Sequence, residues 1–135
     1  MPFKYHRPGG AGGFATLGAF YVAFATNGNN FSFFWVDHQT FRNVTEANRV
    51  VTTPIAFTLT RIIMGVSTNS KSGDSTYQMR DDGVSIGTVT IGAGLIGDFD
   101  SGSLTNAVAA ASEICPMFNN LGTGAIYGMA TFYME

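Results

Sequence analysis

The feature that most constrains this chain is the alternation in residues 45–91, TEANRVVTTPIAFTLTRIIMGVSTNSKSGDSTYQMRDDGVSIGTVTI. Short apolar runs of period two are cut by clusters of Ser, Asn, Asp and Gly. Successive side chains of a strand point to opposite faces, so the pattern writes short antiparallel strands joined by turns. In residues 55–67, Ile55, Phe57, Leu59, Arg61 and Ile63 alternate with Ala56, Thr58, Thr60, Ile62 and Met64. The first set is expected to face the core, with Arg61 near the surface or charge-paired. Residues 70–74, SKSGD, read as a hairpin loop leading to a return strand over 75–80 with Tyr77 and Met79 inward. Asp81, Asp82 and Gly83 read as a tight turn in which Gly83 takes a positive φ cheaply. The strand over 84–91 then places Val89 and Ile91 on one face.

The flanks extend the pattern. Residues 14–26 (FATLGAFYVAFAT) favour strand through Tyr21 and Val22, and residues 27–30 (NGNN) signal a tight turn. Residues 31–37 (FSFFWVD) form a strand that is apolar on both faces, a property of strands buried on both sides or facing a subunit interface. Residues 38–51 read as a polar connection with room for a short edge strand. Residues 92–103 read as loops around one short strand. Residues 104–111 (LTNAVAAA) have helix propensity from their alanines. Pro116 demotes residues 112–118 to an edge strand or bulge, because proline has no N–H to give a ladder. Residues 119–124 are a turn. Residues 125–134 form a closing strand, with Ile126, Gly128, Ala130 and Phe132 on one face and Tyr127, Met129, Thr131 and Tyr133 on the other. The sum is an all-β chain, an antiparallel β-sandwich or jelly roll of about eight strands over residues 14–135. It is preceded by an extended N-terminal arm over residues 1–13, where Pro2, Pro8 and four glycines oppose regular structure.

Charged residues are 12% of the chain against 45% apolar and 13% aromatic, whereas soluble domains carry about 25% charged residues. That imbalance suits a subunit that buries part of its surface on a partner. The candidate oligomer interface is Phe31, Phe33, Phe34 and Trp35, together with Tyr127 and Tyr133. The candidate partner-binding arm is Phe3, Lys4, Tyr5 and Arg7: a purely solvated tail has little use for aromatics, and the arm is basic while the rest of the chain is net acidic. A net charge of −2 does not suit a nucleic-acid binder, which needs a basic stripe. No apolar run approaches the ~20 residues that cross a bilayer as a helix.

The residue inventory offers little chemistry. The histidines are His6 and His38, and no Cys/His cluster has zinc-ligand spacing. Asp37 and His38 have no serine in a nucleophile-elbow context beside them. Asp98 and Asp100 lack the further oxygens of a calcium loop. Cys115 reads as a small buried residue with no intrachain partner. The glycine clusters at 9–13 and 92–94 do not sit in a strand–loop–helix unit with a following lysine. The expectation is therefore a protein with no catalytic residues, metal or cofactor.

The order of motifs over residues 45–135 carries a resemblance: TEANR at 45–49, a strand FTLTRIIMGVST, a glycine-containing hairpin, then YQMRDDG followed by VTI. It resembles the small TNF-like jelly-roll proteins of tailed-phage virions, which serve as capsid decoration (cement) proteins and as tail-fibre heads. In these an Arg-rich strand before an Asn/Asp-Gly turn is typical, here Arg80-Asp81-Asp82-Gly83, and residues 108–115 stand where a strand is introduced by small residues. The chain departs from the pattern at LTNAVAAA, where such proteins show a valine-rich strand. The resemblance implies a homotrimer on the capsid exterior that stabilises the shell by bridging major capsid subunits. The alternative it implies is a tail-fibre, receptor-binding or glycan-binding head. The chain carries no stalk repeat, which favours the decoration protein.

Overall fold

A computed structural model describes residues 22–27, 31–35, 38–43, 46–119 and 122–135, with side chains described from Glu46 onward except Asn48. The arm, residues 1–13, and its candidates Phe3, Lys4, Tyr5 and Arg7 lie outside the described residues. So do residues 28–30 of the NGNN turn.

The described residues are all β apart from one 3-10 turn at Glu46–Asn48. Its strands are β1 (Val22–Asn27), β2 (Phe31–Trp35), β3 (His38–Asn43), β4 (Val51–Thr52), β5 (Phe57–Asn69), β6 (Ser75–Asp81), β7 (Val84–Ile91), β8 (Gly97–Asp100), β9 (Asn106–Val108), β10 (Glu113–Asn119) and β11 (Ala125–Met134). They form two antiparallel sheets. Sheet A runs β1-β11-β5-β8, with β9 also on β5; sheet B runs β3-β2-β10-β6-β7, with β4 also on β10. Without the short or peripheral β3, β4 and β9, eight strands remain, four to a sheet. Chain neighbours mostly lie in opposite sheets, while the first and last strands pair, Val22 opposite Ala130 and Asn27 opposite Ala125. That is a jelly-roll sandwich, the expected class.

The two sheets meet through one core. Leu59, Ile62, Met64 and Val66 of β5 and Ile126, Ala130 and Phe132 of β11 pack against Tyr77, Met79, Val89, Ile91, Ile114 and Phe118 of sheet B. Tyr77 sits at the centre. Its ring lies 6.3 Å from Phe118 in its own sheet and 5.9 Å from Phe132 in the facing sheet, within the range of favourable tilted aromatic pairs. All three are fully buried. Burial in this apolar setting raises the Tyr77 phenol well above its ordinary value, so it is neutral throughout the physiological range.

The β6–β7 hairpin follows its sequence closely. Asp82 and Gly83 both have positive φ, 46° and 80°, the two-residue primed turn that matches strand twist. Asp81 pairs with Val84 across it, and Tyr77, Met79, Val89 and Ile91 face the core as expected.

Four expectations are corrected. First, SKSGD is not a hairpin loop: β5 lies in sheet A and β6 in sheet B, so the segment crosses between sheets. Second, the inward set of β5 switches phase. Leu59 is buried, but so are Ile62, Met64 and Val66, while Ile63 is half-buried and Arg61 exposed. Met134 pairs with Leu59 and Tyr133 with Arg61, so Thr60 is an extra residue, a β-bulge, and it reverses the alternation. Third, Pro116 sits in a central strand. Asp82 N–H donates to the Glu113 carbonyl on the β6 flank, and Thr53 N–H to the Ser112 carbonyl on the opposite flank. Alternation turns Pro116 towards that opposite flank. There β4 pairs Glu113 and Ile114 and β2 pairs Met117, Phe118 and Asn119. Pro116 occupies the gap between them, where a missing N–H interrupts no described ladder bond. Fourth, residues 104–111 are not helical. Val108 and the half-buried Leu104 pack on the core, and the Asn106 side-chain amide donates to the Ile86 carbonyl on edge strand β7.

Phe132→Ala removes the ring that joins Tyr77 to the opposite sheet. The expected loss is about 3–5 kcal/mol of unfolding free energy, measured by denaturant titration.

Candidate functional site

Two outer surfaces carry the residues of interest. On sheet B, β10 alternates: Ile114 and Phe118 enter the core, whereas Cys115 and Met117 face outward and still are buried, packed with Val50. Val50, which follows the 3-10 turn, supplies part of the cover. Arg80 ties the turn to β6. Its Nε donates to Glu46 Oε1 at 2.8 Å, Nη1 to Gln78 Oε1 at 3.2 Å, and Nη2 to the Gly83 carbonyl. Arg49 N–H closes the turn on the Glu46 carbonyl at 2.7 Å. The TEANR and RDDG motifs are therefore two halves of one clasp. Sequence reasoning treated both as turn chemistry and missed their link; 34 residues apart, they carry no local signal of it.

On sheet A, the outer face is lined along β11 by Tyr127, Met129, Thr131 and Tyr133. Tyr127 and Met129 are each 48% exposed. Opposite them on β5, Gly65 pairs with Met129, Ile63 with Thr131 and Arg61 with Tyr133; on β8, Asp98 pairs with Gly65 and Asp100 with Ile63. Gly65 leaves a low floor beside Met129, where a Cβ would come within 3.4 Å of Asp98 Oδ1. At one margin the Arg61 guanidinium grips Asp100, Nε lying 2.9 and 3.0 Å from its two carboxylate oxygens. The Arg61 hydrogen bonds, assisted by Gly102 N–H, pull the Asp100 carboxyl from 3.8 down to about 2. The same pairing raises Arg61. The face is thus an apolar row with a charged margin.

The structure brings Tyr127 and Tyr133 together on this face. It does not bring Phe31, Phe33, Phe34 and Trp35 to them, because β2 lies in the opposite sheet, between β3 and β10; the six candidates do not make one surface. Sequence reasoning had Met129 on this face but did not nominate it as a contact. Its alternation with Ala130 was the available signal.

Asp98 and Asp100 share the outer face, but Asp100 is committed to Arg61. Among the described residues no group of three or more His, Cys, Asp and Glu side chains could hold a metal ion, and no helix is long and apolar enough to cross a membrane. Compared with protein-family models, curated proteins and solved structures, the chain matches none. Fold and surface define a jelly-roll β-sandwich domain with a partly apolar outer sheet.

Two outcomes are expected. Arg80→Met retains the stem and removes the fork, costing about 1–3 kcal/mol; Arg80→Lys recovers only part of it, because an ammonium cannot make the forked contacts. Denaturant titration of both variants checks this. Asp100, with its folded value depressed, contributes stability that is full above its ordinary 3.8 and lost as pH falls through about 2. Carboxyl-detected NMR titration should find Asp100 at about 2 and Asp100 in Arg61→Gln returning upward; an Asp100 titrating normally beside an intact Arg61 contradicts the pair.

Proposed function

We propose that the chain is a non-enzymatic structural subunit of a tailed-phage virion, a homotrimer that decorates the capsid exterior and stabilises the shell by bridging major capsid subunits. The observation that carries this reading is the half-exposed pair Tyr127 and Met129 on the outer face of sheet A, in a chain too poor in charge to solvate itself generously. A sheet face of this kind gains from being covered by another copy. Each large side chain fully buried contributes about 1.5–3 kcal/mol, which is the scale on which a few contacts decide assembly. The Arg61–Asp100 pair at the margin supplies register rather than affinity, in keeping with charged rims of interfaces. The motif order over residues 45–135 supports the virion setting. The arm residues Phe3, Lys4, Tyr5 and Arg7 supply further contacts to the major capsid protein.

A receptor-binding head is the second reading, favoured by the β7–β8 loop. Leu95 and Ile96 are 56% and 64% exposed there. The loop is fixed by the Asn69 amide, which donates to the Gly92 and Leu95 carbonyls at 3.0 and 2.9 Å. These exposed residues are aliphatic, which suits a protein receptor better than a sugar, whose rings stack on aromatics.

The test has two arms. The wild type is expected to sediment as three copies and to bind undecorated capsids, while Met129→Glu places a charge in the covered face and sediments as a monomer. A wild-type monomer that leaves capsids untouched overturns the proposal. Capsid-free binding to host cells selects the second reading.

A further inference from the structure

The end of the sandwich that carries the β6–β7 turn is built unlike the rest. Val84, Asp81, Ile114 and Val51 form one row across sheet B. Val51, Ile55 and Val84 are 38%, 52% and 66% exposed, and Pro54, Ala56, Ala109, Ala110 and Ala111 are exposed around them. Thr53 ties the two apolar strips together: its hydroxyl donates to the Ala109 carbonyl at 2.8 Å, and Ala111 N–H donates to its carbonyl at 2.8 Å. The border is acidic. Asp82 and Glu113 are exposed and joined backbone to side chain, Glu113 N–H to Asp82 Oδ1 at 2.9 Å. Glu135 is exposed beside Thr58, with which it exchanges both backbone hydrogen bonds.

Exposed carboxylates outnumber cations at this end among the described residues: Asp82, Glu113 and Glu135 are exposed, while Arg80 is committed to Glu46 and the Gly83 carbonyl. In addition, Asp81 Oδ1 is buried in the row with no hydrogen-bond partner among the described residues. A buried carboxylate oxygen without a donor is costly, so a donor from elsewhere is called for.

The chain holds one segment of the required chemistry. Residues 3–7, Phe-Lys-Tyr-His-Arg, interleave two aromatics with Lys4, His6 and Arg7. The topology brings the start of β1 to this end. β1 starts at Val22, opposite Ala130, and runs towards Ala125. The polypeptide therefore enters β1 from the side on which β11 finishes at Met134, next to Glu135 and Thr58. From Arg7 to Val22 the chain can span up to roughly 50 Å, ample to reach the surface on its own molecule.

We propose that residues 3–7 dock on this end of their own domain, with Phe3 and Tyr5 over Val51, Ile55 and the 109–111 alanines, and Lys4 and Arg7 against Asp81, Asp82, Glu113 and Glu135. The inference does not depend on the virion reading, since it concerns the free molecule; in that reading the arm leaves this site to reach the capsid.

The test is amide hydrogen exchange on the full chain. In the wild type, residues 3–7, 51–57 and 109–113 are protected, and the protection is unchanged on dilution. In Lys4→Glu/Arg7→Glu, exchange of the arm and of both surface strips rises about tenfold, the scale of two surface ion pairs lost together. Adding Glu113→Lys/Glu135→Lys to that variant restores protection. Equal exchange in wild type and the arm variant overturns the proposal. Protection that falls on dilution overturns it as well, because it assigns the contact to a second molecule.

Discussion

Everything in this sandwich hangs on one contact between its sheets, the Tyr77 ring held between Phe118 and Phe132. Neither sheet can stand alone in water with its inner face bare. The three rings fill the middle of the gap, and the smaller Leu59, Ile62, Met64, Val89, Ile91 and Ile126 close in around them. Burial on that scale fixes which face of each strand turns inward. It thereby fixes what is left outside, including the row from Tyr127 to Tyr133 that gives the molecule its candidate contact face.

The core also explains the irregular features. β5 is 13 residues long and must serve β11 on one flank and β8 and β9 on the other. It does so by inserting Thr60, and a second register shift lies where Tyr127 and Gly128 face Thr68 and Val66. The Thr60 bulge turns Arg61 out to Asp100 and returns Ile62 to the core. Close packing at Gly87 shows how little slack remains. A Cβ there would lie 2.8 Å from Leu104 and 3.0 Å from Ile62, so this narrow side of the sandwich is closed by the absence of a side chain.

What was legible in the sequence was the local chemistry. Asp82-Gly83 names its own turn, because two successive positive φ angles favour those residues. The alternations of β6, β7 and β11 name their inner faces, because each keeps its phase through the core-facing stretch. What was not legible depends on distant partners. SKSGD and NGNN contain good turn residues, yet nothing in four or five residues says whether the next strand pairs with the last or crosses to the other sheet. Pro116 reads as an edge marker until its neighbours β2 and β4 are seen to leave a gap. The alanines of 104–111 favour helix, but Val108 gains more from the core and Asn106 from the β7 edge. On the candidate contact face Tyr127 and Tyr133 were legible by phase, whereas the β2 aromatics were grouped with them by composition alone. The Glu46–Arg80 clasp, spanning two turns, had no sequence period to announce it.

The proposed cover of the outer face of sheet A by another copy of the chain is tested most directly by a photo-activated cross-link from position 127 in an equal mixture of isotopically light and heavy protein. Mixed light–heavy adducts are expected, with the partner sites on β5, β8 and β11 of the second copy. Adducts confined to single molecules, with position 127 reacting only with water, would contradict it.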